Sequence, residues 1–188
     1  VYELGSVFKT FTIAAALNEN LITVDTNFLN LKKQITCGKN VIREYDNEIP
    51  SNLTVEQILI RSGNIGSVRI GQKLGTDKLK SFLTKIGVLT KIDFDIEEVG
   101  SPIKFRWGKC KLATASFGHG ITTTPLQIAK GYAIISNGGF EIRPTLSKKK
   151  DANIKKRIMR EGVSEKINLI LRKIVTTKQG TANFANVE

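Results

Sequence analysis

The chain has 188 residues, the length of one domain or most of one, with room for a sizeable hydrophobic core. Hydrophobic residues make up 40%, which excludes a disordered chain, and no run approaches the roughly 20 apolar residues that span a bilayer. The formal net charge of +12 is spread along the chain, and its densest run, Lys148-Lys149-Lys150, lacks the interleaved aromatic residues of a nucleic-acid site.

The first predicted element is a helix from about Ser6 to Leu17 that is apolar on nearly every side and is therefore expected to be buried. Ser6 and Lys9 lie three residues apart and share one face of it. Burial disfavours the charged ammonium, so Lys9 is expected to lose its proton readily. A neutral amine beside a hydroxyl pairs a general base with a nucleophile, the minimum for acyl transfer without histidine. The alternative is that Ser6 caps the helix and Lys9 reaches solvent.

The following segments alternate between loops and short helices. Residues 27–50 show no clean periodicity and are expected to be loop with short strands. Thr54 and Gln57 have capping-box spacing and predict a helix through Ile60, and another helix follows Gly63. A further amphipathic helix is predicted from Asp77 to Ile86.

The second half of the chain begins with an irregular stretch over residues 88–120. Thr124 is followed by proline and, two residues later, by glutamine, which predicts a capped helix ending near residue 137. Residues 140–146 are predicted to be a strand, and a last amphipathic helix is predicted from Ser164. The expected balance is rich in helix and poor in strand.

A second chemical motif, Ser62-Gly63-Asn64, lies on the predicted turn between two helices. A serine and an asparagine that flank one residue can point into the same cleft. The serine can relay a proton, and the asparagine offers a donor and an acceptor to a peptide amide. The alternative is an ordinary helix-joining turn, because all three residue types favour turns.

The remaining reactive residues are few. Cys37 and Cys110 are too far apart for a metal or redox motif, so two isolated thiols are expected, with a single disulfide left open. His119 is the only histidine, and a Ser-His-Asp triad would have to include it, a role that is disfavoured. No metal-ligand cluster is found, and no cofactor is expected.

Taken together, the motifs resemble the transpeptidase domain of class B penicillin-binding proteins, most closely the division-specific septal enzymes. Residues 2–9, Y-E-L-G-S-V-F-K, are similar to the family's Y-E-P-G-S-x-x-K, with leucine replacing proline. Residues 61–66, R-S-G-N-I-G, are similar to its S-S-N-x-G. Residues 116–127 resemble S-x-G-Q-G-x-x-x-T-P-L-Q, with His119 in place of glutamine, and N-G-G at 137–139 also matches.

The resemblance implies an α/β (α+β) fold like that of penicillin-binding proteins and beta-lactamases, represented mainly by its helical part with an incomplete sheet. Residues 1–188 would form a partial transpeptidase domain without a further boundary. The family's third motif, K-T/S-G, is not found. The segment starting at Lys178, K-Q-G-T-A, imitates it, but the chain is expected to stop just before the true motif and to be inactive alone.

The resemblance also implies site roles in a serine acyl-enzyme mechanism on D-Ala-D-Ala stem peptides. Ser6 would attack the penultimate carbonyl, Lys9 would take its proton, and Ser62 would help pass the proton to the departing D-Ala. Asn64 would hold the substrate's peptide bond. The backbone N–H of Ser6 would supply one oxyanion donor, and beta-lactams would trap Ser6.

The implied parent protein would be anchored at the periplasmic face of the bacterial inner membrane and would work with division-machinery proteins. Within residues 1–188 themselves, no signal peptide or membrane-spanning segment is expected. The alternatives within the same fold are a D,D-carboxypeptidase, a beta-lactamase and a beta-lactam sensor. An alternative of another class is a basic interaction module without chemistry.

Overall fold

The structure is a computed structural model that describes residues 1–96, 106–148 and 156–186. In the described part of the chain, helices dominate and strands are short. The α-helices are α1 Lys9–Asn18, α2 Val55–Ile60, α3 Asn64–Leu74, α4 Thr76–Lys85, α5 Lys109–Ala115, α6 Pro125–Ser136 and α7 Glu161–Thr176. The strands are β1 Tyr2–Glu3, β2 Asn27–Phe28, β3 Gln34–Cys37, β4 Asn40–Arg43, β5 Leu53–Thr54 and β6 Thr122–Thr123.

The strands form antiparallel pairs. β1 pairs with β6, with Tyr2 opposite Thr123, and so ties the N-terminal segment to the loop that precedes α6. β2 pairs with β5, with Phe28 opposite Leu53, just before α2 begins. β3 and β4 form a hairpin, which ends at Arg43 beside the start of α3. The expectation of short strands within residues 27–50 is confirmed.

Helix α1 lies at the centre of the molecule. Every residue from Lys9 to Leu17 is buried, as the all-round apolar pattern predicts. The helix packs against α3, α4 and α7, and α7 also contacts α2 and α6. A helix covered on all sides cannot shift without disturbing several neighbours, so its first residues are held rigidly.

The predicted capping boxes are confirmed at both positions. The Thr54 side chain accepts from the Gln57 N–H at 3.1 Å, and the Gln57 side chain accepts from the Thr54 N–H at 2.9 Å. The same exchange joins Thr124 and Gln127 at the start of α6. The capping-box pattern predicts these hydrogen bonds well because their donors and acceptors lie within one helical turn.

Several boundaries differ from the predictions. Residues 141–146 form no strand, and only Phe140 makes an isolated bridge, to Arg157. The stretch predicted as irregular contains α5, whose seven residues are too few for a periodic signal and whose N-cap, Gly108, offers no side chain. α7 begins at Glu161, one turn before the predicted Ser164.

The expectation of two isolated thiols is wrong. Cys37 and Cys110 form a disulfide, with their Cα atoms 5.4 Å apart across a sequence separation of 73 residues. The bond joins the β3–β4 hairpin to α5.

In the basic run Lys148-Lys149-Lys150, Lys148 is exposed. Lys149 and Lys150 lie outside the described residues.

Candidate active site

Ser6 lies in a 3₁₀ turn, Gly5–Phe8, that continues directly into α1. Side chains three residues apart eclipse one another in a 3₁₀ turn, because it has three residues per turn. Ser6 therefore stands over Lys9, the first residue of α1, and the two side chains are hydrogen-bonded, with Lys9 Nζ 3.0 Å from Ser6 Oγ. Ser6 itself is exposed, so its hydroxyl is accessible to a ligand.

Lys9 is completely buried beneath the serine. Its Nζ donates to Ser6 Oγ at 3.0 Å, to Ser62 Oγ at 2.8 Å and to the Ser62 carbonyl oxygen. Burial lowers the pKa of Lys9 from 10.5 to about 8, and the charge of Glu44 opposes that fall. The side chain can therefore exist as a neutral amine within hydrogen-bond reach of a hydroxyl.

Ser62 occupies the turn between α2 and α3 in a left-handed conformation, with φ of 54°. The Ser62 N–H donates to the Leu59 carbonyl at 3.1 Å and the Gly63 N–H donates to the Ile58 carbonyl at 2.9 Å. These two bonds form a Schellman motif, in which glycine usually takes the left-handed position. The turn directs a serine hydroxyl at Lys9 from 53 residues away in sequence.

Asn64 is the first residue of α3 and lies just beyond this cluster. Its side chain Nδ2 donates to the Arg43 carbonyl at the end of β4, at 2.9 Å. The structure thus brings Ser6, Lys9 and Ser62 into one hydrogen-bonded group. It holds Asn64 beside that group by a contact with the hairpin.

A loop from the second half of the chain packs on the turn that carries Ser6. The Gly5 N–H donates to the Gly118 carbonyl at 3.1 Å. Gly118 has φ of 83°, and a Cβ there would lie 2.0 Å from the Gly5 carbonyl oxygen, so no other residue fits without moving the turn. The F-G-H-G segment therefore supports the serine through backbone contact.

Tyr132 and Glu44 also belong to the site, and the sequence did not identify either of them. The Tyr132 hydroxyl, from α6, donates to the Val7 carbonyl at 2.8 Å and contacts Thr10 Oγ1 at 3.0 Å. Glu44 receives two hydrogen bonds from the first residues of α3. No sequence signal could have found these contacts, because each joins elements that are distant along the chain.

His119 and Lys178 are not members of the hydrogen-bonded group formed by Ser6, Lys9 and Ser62. His119 is exposed, and its Nδ1 lies 3.2 Å from the Glu3 carboxylate. Its ring stacks on Phe117. Lys178 follows α7 in a turn rather than in a strand. Over residues 1–96, 106–148 and 156–186, no group of three or more histidine, cysteine or acidic side chains could hold a metal ion.

Comparison with known proteins gives one consistent family. The family described as "Penicillin binding protein transpeptidase domain" matches residues 1–188. The chain is 28% identical to "Probable peptidoglycan D,D-transpeptidase FtsI" of Caulobacter vibrioides, over 96% of this chain and 31% of the relative. It is 30% identical to "Stage V sporulation protein D" of Bacillus subtilis, over 100% of this chain and 31% of the relative.

The fold is similar to that of a solved transpeptidase domain. The apo TP domain of penicillin-binding protein 3 from Burkholderia pseudomallei superimposes with a TM-score of 0.90 at 24% identity, over 99% of this chain and 57% of that chain. This similarity confirms the α/β fold class expected from the sequence. The chain spans about a third of the length of the curated relatives it matches.

Proposed function

The chain belongs to the penicillin-binding protein transpeptidase family, and from that premise we propose that it provides the nucleophile of a peptidoglycan D,D-transpeptidase. The substrates would be stem peptides that end in D-Ala-D-Ala. Ser6 is the nucleophile, Lys9 and Ser62 are the other catalytic residues, and Asn64 binds the substrate. No metal or cofactor takes part in the proposed reaction.

One observation carries the proposal: a fully buried lysine amine lies between two serine hydroxyls. Lys9 Nζ is 3.0 Å from Ser6 Oγ and 2.8 Å from Ser62 Oγ. Burying a charged group is unfavourable, so stability alone does not explain a lysine at this buried position. The same burial lowers the pKa of Lys9 to about 8, which suits a general base near neutral pH.

In the acylation step, neutral Lys9 accepts the proton of the Ser6 hydroxyl along their hydrogen bond. Ser6 Oγ forms a bond to the penultimate D-Ala carbonyl carbon, whose oxygen becomes negatively charged. The backbone N–H of Ser6 donates to that oxygen. It lies in the first turn of the helical segment, where the partial positive charge of the backbone dipoles favours an anion.

Collapse of this intermediate breaks the peptide bond to the terminal D-Ala. The nitrogen of the departing D-Ala takes a proton that moves from Lys9 through the Ser62 hydroxyl, which is 2.8 Å from Lys9 Nζ. The product is an ester on Ser6. The amine of a neighbouring stem then attacks that ester and gives its proton to Lys9. The bond to Ser6 Oγ breaks, Lys9 returns the proton to Ser6 Oγ, and the released product is a crosslink. A beta-lactam follows the same first step and stays attached to Ser6.

The cellular setting is part of the proposal. The Cys37–Cys110 disulfide supports an oxidising compartment, consistent with the periplasmic face of the bacterial inner membrane. In the part of the chain that the structure describes, no helix has the length and apolar character of a membrane span. Division-machinery proteins are the proposed partners of the full-length protein.

The test uses fluorescent penicillin on the full-length protein and its Ser6→Ala variant. Label should attach to the wild type and be absent from Ser6→Ala. A control variant, Ser81→Ala, changes an exposed serine on α4 and should be labelled like the wild type. Labelling that survives in Ser6→Ala would refute the assignment of Ser6.

A second assay separates a transpeptidase from a carboxypeptidase of the same fold. The full-length protein is incubated with a stem peptide that ends in D-Ala-D-Ala and with an amine acceptor. A transpeptidase releases D-Ala and forms the new amide. Release of D-Ala with hydrolysis alone would contradict the proposed acyl transfer to an amine.

A further inference from the structure

The segment that follows the β3–β4 hairpin supplies an acidic side chain to the start of α3. Glu44 Oε2 accepts from the Asn64 N–H at 2.6 Å, and Glu44 Oε1 accepts from the Ile65 N–H at 2.9 Å. Glu44 is half-buried between the hairpin and the helix. One carboxylate thus binds two successive backbone donors at the end of the turn that carries Ser62.

This contact gives the first backbone N–H groups of α3 the acceptor that the N-cap residue does not supply. The first N–H groups of a helix have no partner within the helix, and a side chain at the N-cap usually accepts from them. The N-cap of α3 is Gly63, which has no side chain to do so. A carboxylate at this end also interacts favourably with the helix dipole, and hydrogen bonds to a charged acceptor are stronger than neutral ones.

The same segment fixes the side chain of Asn64. Its Nδ2 donates to the carbonyl of Arg43, the residue just before Glu44. The Glu44 N–H in turn donates to the Lys33 carbonyl at 2.9 Å, which ties the segment to the start of the hairpin. Two adjacent residues therefore hold both the backbone and the side chain of Asn64.

Glu44 also acts on Lys9 through its charge. The uncharged Ser6 and Ser62 hydroxyls bind Lys9 Nζ, and among the described residues Glu44 is the charged group that affects the pKa of Lys9. Its negative charge raises that pKa, against the larger effect of burial. Glu44 is next to Tyr45, whose pKa is raised by burial, by Asp46 and by Glu44.

We propose that Glu44 is a positioning residue for acyl transfer: its carboxylate holds the start of α3 and thereby fixes Ser62 and Asn64 relative to Lys9. The inference rests on the proposed function of this site. It adds a residue outside the three sequence motifs. Its negative charge also raises the pKa of Lys9, against the larger effect of burial, and so raises the pH at which Lys9 becomes a base.

The test measures the rate of penicillin acylation against pH in the full-length protein. In Glu44→Gln, the plateau rate should fall about 10- to 100-fold, because displacements of about 1 Å at an active site have effects of that size. The midpoint of the pH profile should move below that of the wild type, since the charge that favours protonated Lys9 is gone. A purely structural role would not move this midpoint.

Two further variants sharpen the comparison. Glu44→Asp keeps the charge, so its midpoint should stay at the wild-type pH while part of the plateau rate returns. Glu48→Gln removes an exposed carboxylate from the same loop and should leave rate and midpoint unchanged. A Glu44→Gln protein with the wild-type plateau and midpoint would overturn the proposal, as would a lower plateau with an unmoved midpoint.

Hydrogen exchange provides a readout that does not depend on chemistry. In Glu44→Ala, the amide protons of Asn64 and Ile65 should exchange faster than in the wild type, because both lose their acceptor. Unchanged exchange would refute the positioning role whatever the activity. If the wild-type protein fails to bind penicillin while exchange changes as expected, the proposed function fails and the structural contact stands.

Discussion

The pH dependence of acylation should follow the titration of Lys9. With its pKa lowered to about 8 by burial, about a tenth of Lys9 is neutral at pH 7. An ordinary lysine with a pKa of 10.5 would be neutral in only about 0.03% of molecules at that pH. Burial therefore increases the population of the base form roughly 300-fold.

The expected profile has a distinct shape. The second-order rate of penicillin acylation should rise about tenfold per pH unit below pH 8 and level off above it. Lys9→Arg keeps a permanent charge and should lower the rate by about 10² to 10⁴, the range for loss of a general base. Lys80→Arg, an exposed control on α4, should behave like the wild type.

The same titration affects stability, with a sign that follows from proton binding. Between about pH 8 and 10.5 the unfolded state binds more protons at Lys9 than the folded state does, so stability rises with pH. Relative to Lys9→Met, the wild-type free energy of unfolding should increase by about 3 kcal/mol across that interval. Urea unfolding at both pH values measures it.

Two results would refute the reasoning. A rate that is independent of pH between 6 and 9 would mean that no group titrating near 8 limits acylation. A Lys9→Arg variant that acylates at a near-normal rate would make Lys9 structural and remove the general base from the proposed mechanism.

Three further changes test how the site is held. Reducing the Cys37–Cys110 disulfide should lower the free energy of unfolding by about 4 kcal/mol, the chain-entropy value for a loop of this length, and an unchanged urea midpoint would contradict this. Ser62→Gly should be about 1 kcal/mol more stable than Ser62→Ala, because only alanine keeps the penalty of positive φ, and both should acylate equally slowly. Tyr132→Phe removes the hydrogen bond to the Val7 carbonyl, so its free energy of unfolding should be about 1 kcal/mol lower and its acylation slower. Wild-type values in both assays would show that the bond is dispensable.

The sequence could predict those features that short-range physics determines. The Ser6–Lys9 pair lies within one turn, and burial of the first helix follows from its apolar residues. The capping boxes at Thr54 and Thr124 are likewise contained in four consecutive residues. In the Ser6–Lys9 pair and the two capping boxes the groups that interact are close in sequence, so the pattern specifies the structure.

The features that the sequence could not predict depend on contacts between distant segments. The pairing of Cys37 with Cys110 needs the hairpin placed against α5, and no spacing rule gives that placement. The strand predicted over residues 140–146 does not form, because among the described residues its segment pairs only through a single bridge, from Phe140 to Arg157. Glu44 has no recognisable motif, since it caps a helix that begins 20 residues later.

Two locally unfavourable choices meet in this site. Ser62 has a left-handed backbone conformation, which glycine adopts without strain. Lys9 buries an amine that loses its hydration, whereas an apolar side chain at the same position would lose none. Each choice alone lowers stability, by an amount of about 1 to 3 kcal/mol. Their polar atoms nevertheless lie 2.8 Å apart, and Lys9 also reaches Ser6. Backbone strain at Ser62 and a buried amine at Lys9, both beside the exposed Ser6 hydroxyl, are expected where a site is shaped for chemistry at a cost in stability.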